Sequence, residues 1–355
     1  MRTNLSSQIS LNHVSPRYYK PENAVERSVL TRLEKIPTDI FETIEEGVRR
    51  IADEVAAKIQ ERQREGKFCT LAIGTGTSLR PLFTELVRRH KDEGLSFRNV
   101  VVFNLYEFYP LTEGNGSTFG QLNSLFLSQT DIDRQNVFTI DGSIPQNAIS
   151  EHCRLYEQRI QTFGGIDIVL MGIGREGNIG MNEPGSHASS PTRLILLDAT
   201  SRSEAARNWG VDNLPPCSIT MGVQTILSAR KIYLLTWGED RADIIQKAVE
   251  ENVNDTLPAS FLQLHNNVNV CIDLAAASHL TRSQRPWLVT SCEWNDKLIR
   301  SAIVWLCTLL NKPILKLTNK DYNENGLSEL LALYGSAYNV NIKVFNDLQH
   351  TITGW

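Results

Sequence analysis

The chain has 355 residues, with 36 basic and 40 acidic side chains and a formal net charge of -4. That balance lacks the concentrated basic footprint of a nucleic-acid-binding protein, and the length is enough for one large α/β domain plus a smaller unit, each with its own core. The start MRTNLSSQIS has no apolar signal core, and no later stretch of 18 apolar residues occurs, so the sequence reads as a cytoplasmic protein without a membrane partner.

Residues 1–39 carry Pro16, Pro21 and Pro37 among mixed polarity and read as an arm laid over the surface or against a neighbouring copy in a homo-oligomer. From Ile40 the apolar positions Ile44, Val48, Ile51, Val55 and Ile59 recur at spacings of three and four, which predicts an amphipathic helix. An alternation follows: strand Phe68–Ile73, helix 79–91, strand Val100–Leu105, a helical stretch near 117–128, helix 148–163 and strand Ile166–Met171. It continues with strand Leu194–Leu197, helices 201–209 and 220–228, strand Lys231–Trp237, helix 240–250 and strand Val268–Leu274. Strands alternating with helices of this length predict an α/β fold, a doubly wound, mostly parallel sheet with helices on both faces. The strands are continuous apolar runs, as burial on both faces requires.

A shorter cycle follows: strand Trp287–Thr290, helix 295–310, strand Pro313–Leu317, helix 325–338 and strand Asn341–Phe345. It predicts a smaller C-terminal α/β unit. The expected division is an arm at 1–39, a main domain at 40–281 and an extension at 282–355.

The six cysteines, at 69, 153, 217, 271, 292 and 307, form no CxxC pair, and the seven histidines form no HxH or HxxxH pair. No protein-built metal site is expected from such spacings. The thiols read as small buried hydrophobes in a reducing compartment.

Ligands of open parallel sheets bind beyond the strand carboxyl ends, where four unusual stretches fall. Gly74-Thr75-Gly76-Thr77-Ser78 joins a strand to a helix and could cradle a phosphate, its glycines admitting an anion and its hydroxyls donating to it. It matches neither GxGxxG nor the P-loop pattern, so no nucleotide cofactor is expected; the plainer reading is a tight turn. In Phe103-Asn104-Leu105-Tyr106-Glu107-Phe108-Tyr109 a carboxylate between rings suits acid–base chemistry, or else marks a buried aromatic cluster. The third stretch is the glycine-spaced loop GIGREGNIGMNEP at 172–184. The fourth is Trp237-Gly238-Glu239-Asp240-Arg241, where a cation in a first helical turn gains nothing from the dipole, so an anionic ligand or a surface ion pair explains it. Arg207 on helix 201–209 could reach the same ligand.

Together, in this order, these stretches and the segments SITMGVQTIL and LLTWGEDRADIIQKAVE resemble the glucosamine-6-phosphate deaminase family, which belongs with the 6-phosphogluconolactonases. The likeness runs from about residue 40 to about 280. It implies a sugar-phosphate ligand, no cofactor, and isomerising deamination of glucosamine 6-phosphate to fructose 6-phosphate and ammonia. By the same resemblance Thr75, Gly76, Thr77, Ser78, Arg207 and Arg241 match the phosphate-binding positions. Thr77 stands where the family has glycine, and Arg241 where it has lysine.

The departures lie in the chemistry. Tyr106 occupies the position of the proton-abstracting aspartate, followed by the matching Glu107, and Asn178 occupies that of the ring-opening histidine. A phenol with a pKa of about 10 is a poor base at neutral pH, and an amide has no proton to exchange there. Glu183, matching the carboxylate that supports the histidine, is kept. Glu107 or Glu176 could act as substitutes, and His187 could replace the imidazole, though a surface histidine is the plainer reading. Of the family's effector pocket Arg193 remains, while Ile195 replaces a lysine. The extension resembles the start of longer relatives that join such a module to a PIG-L-type deacetylase domain, but no His-Pro-Asp-Asp motif occurs in it. Two readings stand: a hexosamine-6-phosphate-binding enzyme with weakened deamination, or a non-catalytic sugar-phosphate sensor or scaffold.

Overall fold

The structure is a computed structural model describing residues 15–111, 116–209 and 214–353; residues 1–14 of the expected arm lie outside them. Glu34–His279 forms one compact unit, and residues 15–33 join the segment from Leu280 in a second.

The second unit begins with α1 (Ala24–Leu30), and the first with β1 (Thr38–Phe41) and α2 (Ile44–Arg64). The Thr43 hydroxyl accepts from Glu46 N–H at 3.1 Å and the Glu46 carboxylate accepts from Glu42 N–H at 3.0 Å, which fixes the start of α2. Its buried stripe is Val48, Ile51, Ala52, Val55 and Ile59, the spacing seen in the sequence. The chain continues through β2 (Cys69–Ile73), α3 (Arg80–Glu93), β3 (Val100–Asn104), β4 (Tyr106–Tyr109), α4 (Thr118–Leu125), β5 (Val137–Phe138), α5 (Ile149–Thr162) and β6 (Ile168–Met171). Then come β7 (Arg193–Leu196), α6 (Ala199–Trp209), β8 (Cys217–Thr220), α7 (Val223–Leu227), β9 (Lys231–Thr236), α8 (Ala242–Glu250) and β10 (Val268–Asp273).

Seven strands pair in the order β1-β10-β9-β6-β2-β3-β5, all parallel. One face packs Leu71, Ile73, Val102 and Leu170 against α2 and α3. On the other, Phe103 meets Tyr156 of α5 edge-on at a ring separation of 5.4 Å and stacks on Phe138 at 5.2 Å. Both faces are covered, as the continuous apolar strands demanded. Among the described residues no helix is long and apolar enough to cross a membrane.

Three expectations are corrected. The strand expected at Leu194–Leu197 is β7, which pairs not in the parallel sheet but antiparallel to β8, itself antiparallel to β4. The smaller C-terminal unit is not α/β: it holds α9 (Thr281–Gln284), α10 (Asp296–Leu310), α11 (Asn319–Glu324), α12 (Ser328–Tyr334) and α13 (Ala337–Thr353), and the segments expected as strands at 287–290 and 313–317 fall largely in 3-10 turns. Its own core gathers Trp287, Ile303, Leu306, Tyr322, Leu330 and Val344. Finally, the stretch expected as one arm is divided: residues 16–33 group with the segment from Leu280, where Arg17 donates to Ser291 Oγ at 3.4 Å and Arg32 donates to the Leu288 carbonyl, while Thr38 and Asp39 begin β1.

Candidate functional site

A cleft of about 550 Å³ opens beyond the carboxyl ends of the parallel strands. Gly76, Thr77 and Ser78 enter it after β2, Tyr106 after β3, Gly174, Arg175 and Asn178 after β6, and Trp237, Asp240 and Arg241 after β9; Glu204 and Arg207 come from α6. The sequence-predicted residues Gly76, Thr77, Ser78, Tyr106, Asn178, Arg207 and Arg241 therefore share one cleft. Its place follows from topology. The chain leaves β2 toward β3 and β5 on one side, whereas β6 leads to β9 and β10 on the other, and the reversal between β2 and β6 leaves a crevice.

The turn after β2 is a 3-10 turn, Thr77–Leu79, that runs straight into α3. No side chain caps the turn or α3. Arg80 N–H donates to the Thr77 carbonyl and Pro81 has no N–H, so the positive end offered to an anion is that of the turn itself, at residues 76–78. Thr75 is set differently from its neighbours: it is buried outside the cleft lining, and its hydroxyl donates to the Tyr106 phenol oxygen at 3.4 Å. Burial raises the Tyr106 phenol above its ordinary pKa, which leaves still less phenolate to act as a base at neutral pH.

The loop after β6 is shaped by its glycines. The Asn178 side chain folds back so closely over Gly174 that a Cβ there would stand 1.8 Å from Asn178 Oδ1, while Gly174 N–H donates to the Asn178 carbonyl at 3.0 Å. Gly177 has φ +75°, and a Cβ on it would meet Leu257 at 2.1 Å. These contacts, rather than any catalytic demand, account for the Gly174-x-x-Gly177 spacing. Asn178 Oδ1 is buried without a hydrogen-bond partner in the protein.

Glu183 is absent from the cleft lining. The Ser201 hydroxyl donates to its Oε2 at 2.9 Å, while Oε1 is buried and unpartnered. Burial pushes this carboxyl up to about 7, with the nearby Asp198 and Glu176 charges adding to the effect and the Ser201 hydrogen bond opposing it. Glu183 lines instead a second cavity of about 380 Å³ with Ser186, His187, Arg193 and Ile195. Arg193 braces that loop, donating to Asn182 Oδ1 at 2.8 Å and to Ser186 Oγ at 2.9 Å.

The proposed substitute bases do not reach the cleft. Tyr106 and Glu107 are neighbours on β4, so they project to opposite faces, and Tyr106 takes the cleft side. Glu107, 1% exposed, accepts from Phe108 and Thr118 N–H through Oε1 and from Ser117 Oγ and Phe119 N–H through Oε2. It is the anionic cap of α4, placed at the end of the helix that favours negative charge. Glu176 is exposed and outside the lining. His187 is exposed, its Nδ1 2.7 Å from Ser189 Oγ.

The structure adds three residues that the sequence reading did not single out: Arg175, Glu204 and Asp240. Glu204 and Arg241, each with a side chain 15% exposed, form an ion pair. Arg241 Nε donates to the Ile173 carbonyl at 3.2 Å. Glu204 stands three residues before Arg207 on α6, so helical spacing puts the two on one face; that was the signal that could have found it.

A doubly wound α/β protein with its cleft at the switch point is the class these observations define. Within that class, residues 42–271 match the family of glucosamine-6-phosphate isomerases/6-phosphogluconolactonase, and the chain belongs to it. It is 66% identical over its whole length to a protein of Bacteroides thetaiotaomicron named glucosamine-6-phosphate deaminase-like, of which it spans only 54%. It is 36% identical to glucosamine-6-phosphate deaminase 1 of Bacillus subtilis over 63% of the chain and 93% of that protein. A monomeric glucosamine-6-phosphate deaminase of known structure superposes with a TM-score of 0.65 at 34% identity, over 69% of the chain and all of that protein. The 6-phosphogluconolactonase of Thermotoga maritima, at 16% identity and a TM-score of 0.53 over 67% of the chain and 98% of its own, shares the fold.

Proposed function

We propose that this chain binds a hexosamine 6-phosphate and that isomerising deamination is strongly weakened in it. The observation that carries the reading is one cleft holding the Gly76-Thr77-Ser78 turn, Arg207 and Arg241 together with Tyr106 and Asn178. The turn and the two guanidinium groups suit a phosphate. Tyr106 and Asn178 stand where the family resemblance puts the base and the ring-opening acid–base, and neither exchanges protons readily near pH 7. Glu107 and Glu176, the carboxylates that could have compensated, lie outside the lining. The sensor or scaffold reading draws on the same two substitutions. A cytoplasmic setting accords with a charged, membrane-impermeant ligand.

The test is calorimetry with glucosamine 6-phosphate alongside an ammonia-release assay. Saturable binding is expected, with turnover well below the roughly 1–10³ s⁻¹ of ordinary enzymes. The double variant Tyr106→Asp, Asn178→His should gain about 10²-fold or more in rate. Ordinary turnover by the parent chain overturns the weakened-site reading, and absence of binding overturns the ligand.

A further inference from the structure

Among the cleft residues Glu204 has no place in the reading above. Its carboxylate is bound to the Arg241 guanidinium, accepts from Arg175 N–H at 3.2 Å and lies 3.7 Å from Arg175 Nε. A carboxylate thus occupies a guanidinium and a backbone N–H at a strand end, the two donor types with which proteins hold phosphate oxygens. Shielded from water, the pair is held more firmly than a surface ion pair. Arg175 reaches on to Asp240 Oδ2 at 3.3 Å. The Glu204 carboxylate ties α6 to the loop after β9 through Arg241 and adds to the Ser201–Glu183 hydrogen bond in tying it to the loop after β6.

We propose that Glu204 is an internal competitor for the phosphate subsite, so that a phosphorylated ligand enters by exchanging with it on Arg241. The inference rests on the hexosamine-6-phosphate reading. Two anions cannot share this guanidinium without repulsion. A phosphate monoester, with a charge approaching -2 near pH 7, displaces a singly charged carboxylate, whereas an unphosphorylated sugar offers nothing to exchange. The carboxylate thereby holds down affinity for every anion and leaves neutral sugars unaffected. Release of Glu204 also loosens α6 from the loop after β9, while the Ser201–Glu183 hydrogen bond keeps its hold on the loop after β6, so occupancy of the phosphate subsite is transmitted to that helix.

The test compares the parent chain with E204Q by calorimetry, using inorganic phosphate, glucose 6-phosphate, glucosamine 6-phosphate and, as the neutral sugar, unphosphorylated glucose. E204Q should bind the three phosphates at least about tenfold more tightly, show no gain for glucose, and lose the gain when R241Q is added. E204Q binding the phosphates equally or less well, while the parent binds them, overturns the competitor and leaves the ligand reading standing. Failure of both proteins to bind any phosphate removes the ligand reading and the competitor with it. Should E204Q not fold, a crystal of the parent chain soaked with inorganic phosphate decides the matter. A broken Glu204–Arg241 pair with phosphate on Arg241 is expected, and phosphate bound beside an intact pair overturns the proposal.

Discussion

Glu183 was singled out by the family resemblance of its loop, and among the described residues its carboxyl is the one whose protonation the fold shifts into the physiological range. Residue type and spacing could reveal such an acid but not its surroundings, because burial and the missing partner of Oε1 arise from α6 and from the loop around it. Its folded pKa of about 7 lies above the ordinary 4.5, so between these values the folded state binds more protons than the unfolded one. Stability therefore falls as pH rises through that window. At about 1.4 kcal/mol for each pH unit separating the two titrations, Glu183→Gln should stabilise the protein by about 1–3 kcal/mol at pH 8, and the gain should vanish below pH 4.5. Urea unfolding at the two pH values measures it; a gain that is the same at both, or present only in acid, contradicts a buried, neutralised carboxyl. Asn178 was equally legible as a departure. Its unsatisfied Oδ1 was not, since only the folded loop brings it over Gly174.

At the scale of elements, the sequence pattern identified what period could identify and failed where period was ambiguous. The strands 69–73, 100–104 and 231–236 are uniformly or almost uniformly buried, and such runs are readable without knowing their partners. Residues 341–345 look like a short strand, yet Val340 and Val344 are both buried four apart on α13, the helical spacing that a window of five residues is too short to expose. The same limit misplaced Glu107, because assigning its face requires knowing that 106–109 is a strand paired with β8. As the cap of α4, Glu107 makes a prediction opposite to that for a base. Glu107→Ala leaves several buried donors unpaired and should cost about 3 kcal/mol or more in unfolding free energy. The affinity of the folded protein for glucosamine 6-phosphate should stay unchanged within a factor of two to three. A variant of parental stability with binding or turnover abolished would return Glu107 to the chemistry.

For the whole molecule, alternation of strands and helices was sufficient to predict a parallel sheet, but the edge strand β1 was not predictable. Thr38 pairs with Val270 and Phe41 with Asp273, and no local signal links positions that far apart in sequence. The same alternation, carried past residue 282, predicted strands where a helical unit with its own core stands. The covered sheet buries the thiols of Cys69 and Cys271 on its strands β2 and β10. All six cysteines are free, with Cys69, Cys153 and Cys271 buried and Cys217, Cys292 and Cys307 partly so. Burial pushes the Cys69 thiol up to about 12 and those of Cys153 and Cys292 up to about 11, and raises Cys271 and Cys307 as well. The thiolate is the reactive form, so at pH 8 a disulfide reagent such as Ellman's should modify at most the three partly exposed cysteines within minutes. All six should react in guanidinium, and a reductant should leave the melting temperature unchanged because no disulfide closes a loop. Rapid modification of Cys69 or Cys271 in the folded protein, located by mass spectrometry of the peptides, would mean that the sheet opens on that timescale and that its two covering layers are less secure than their packing implies.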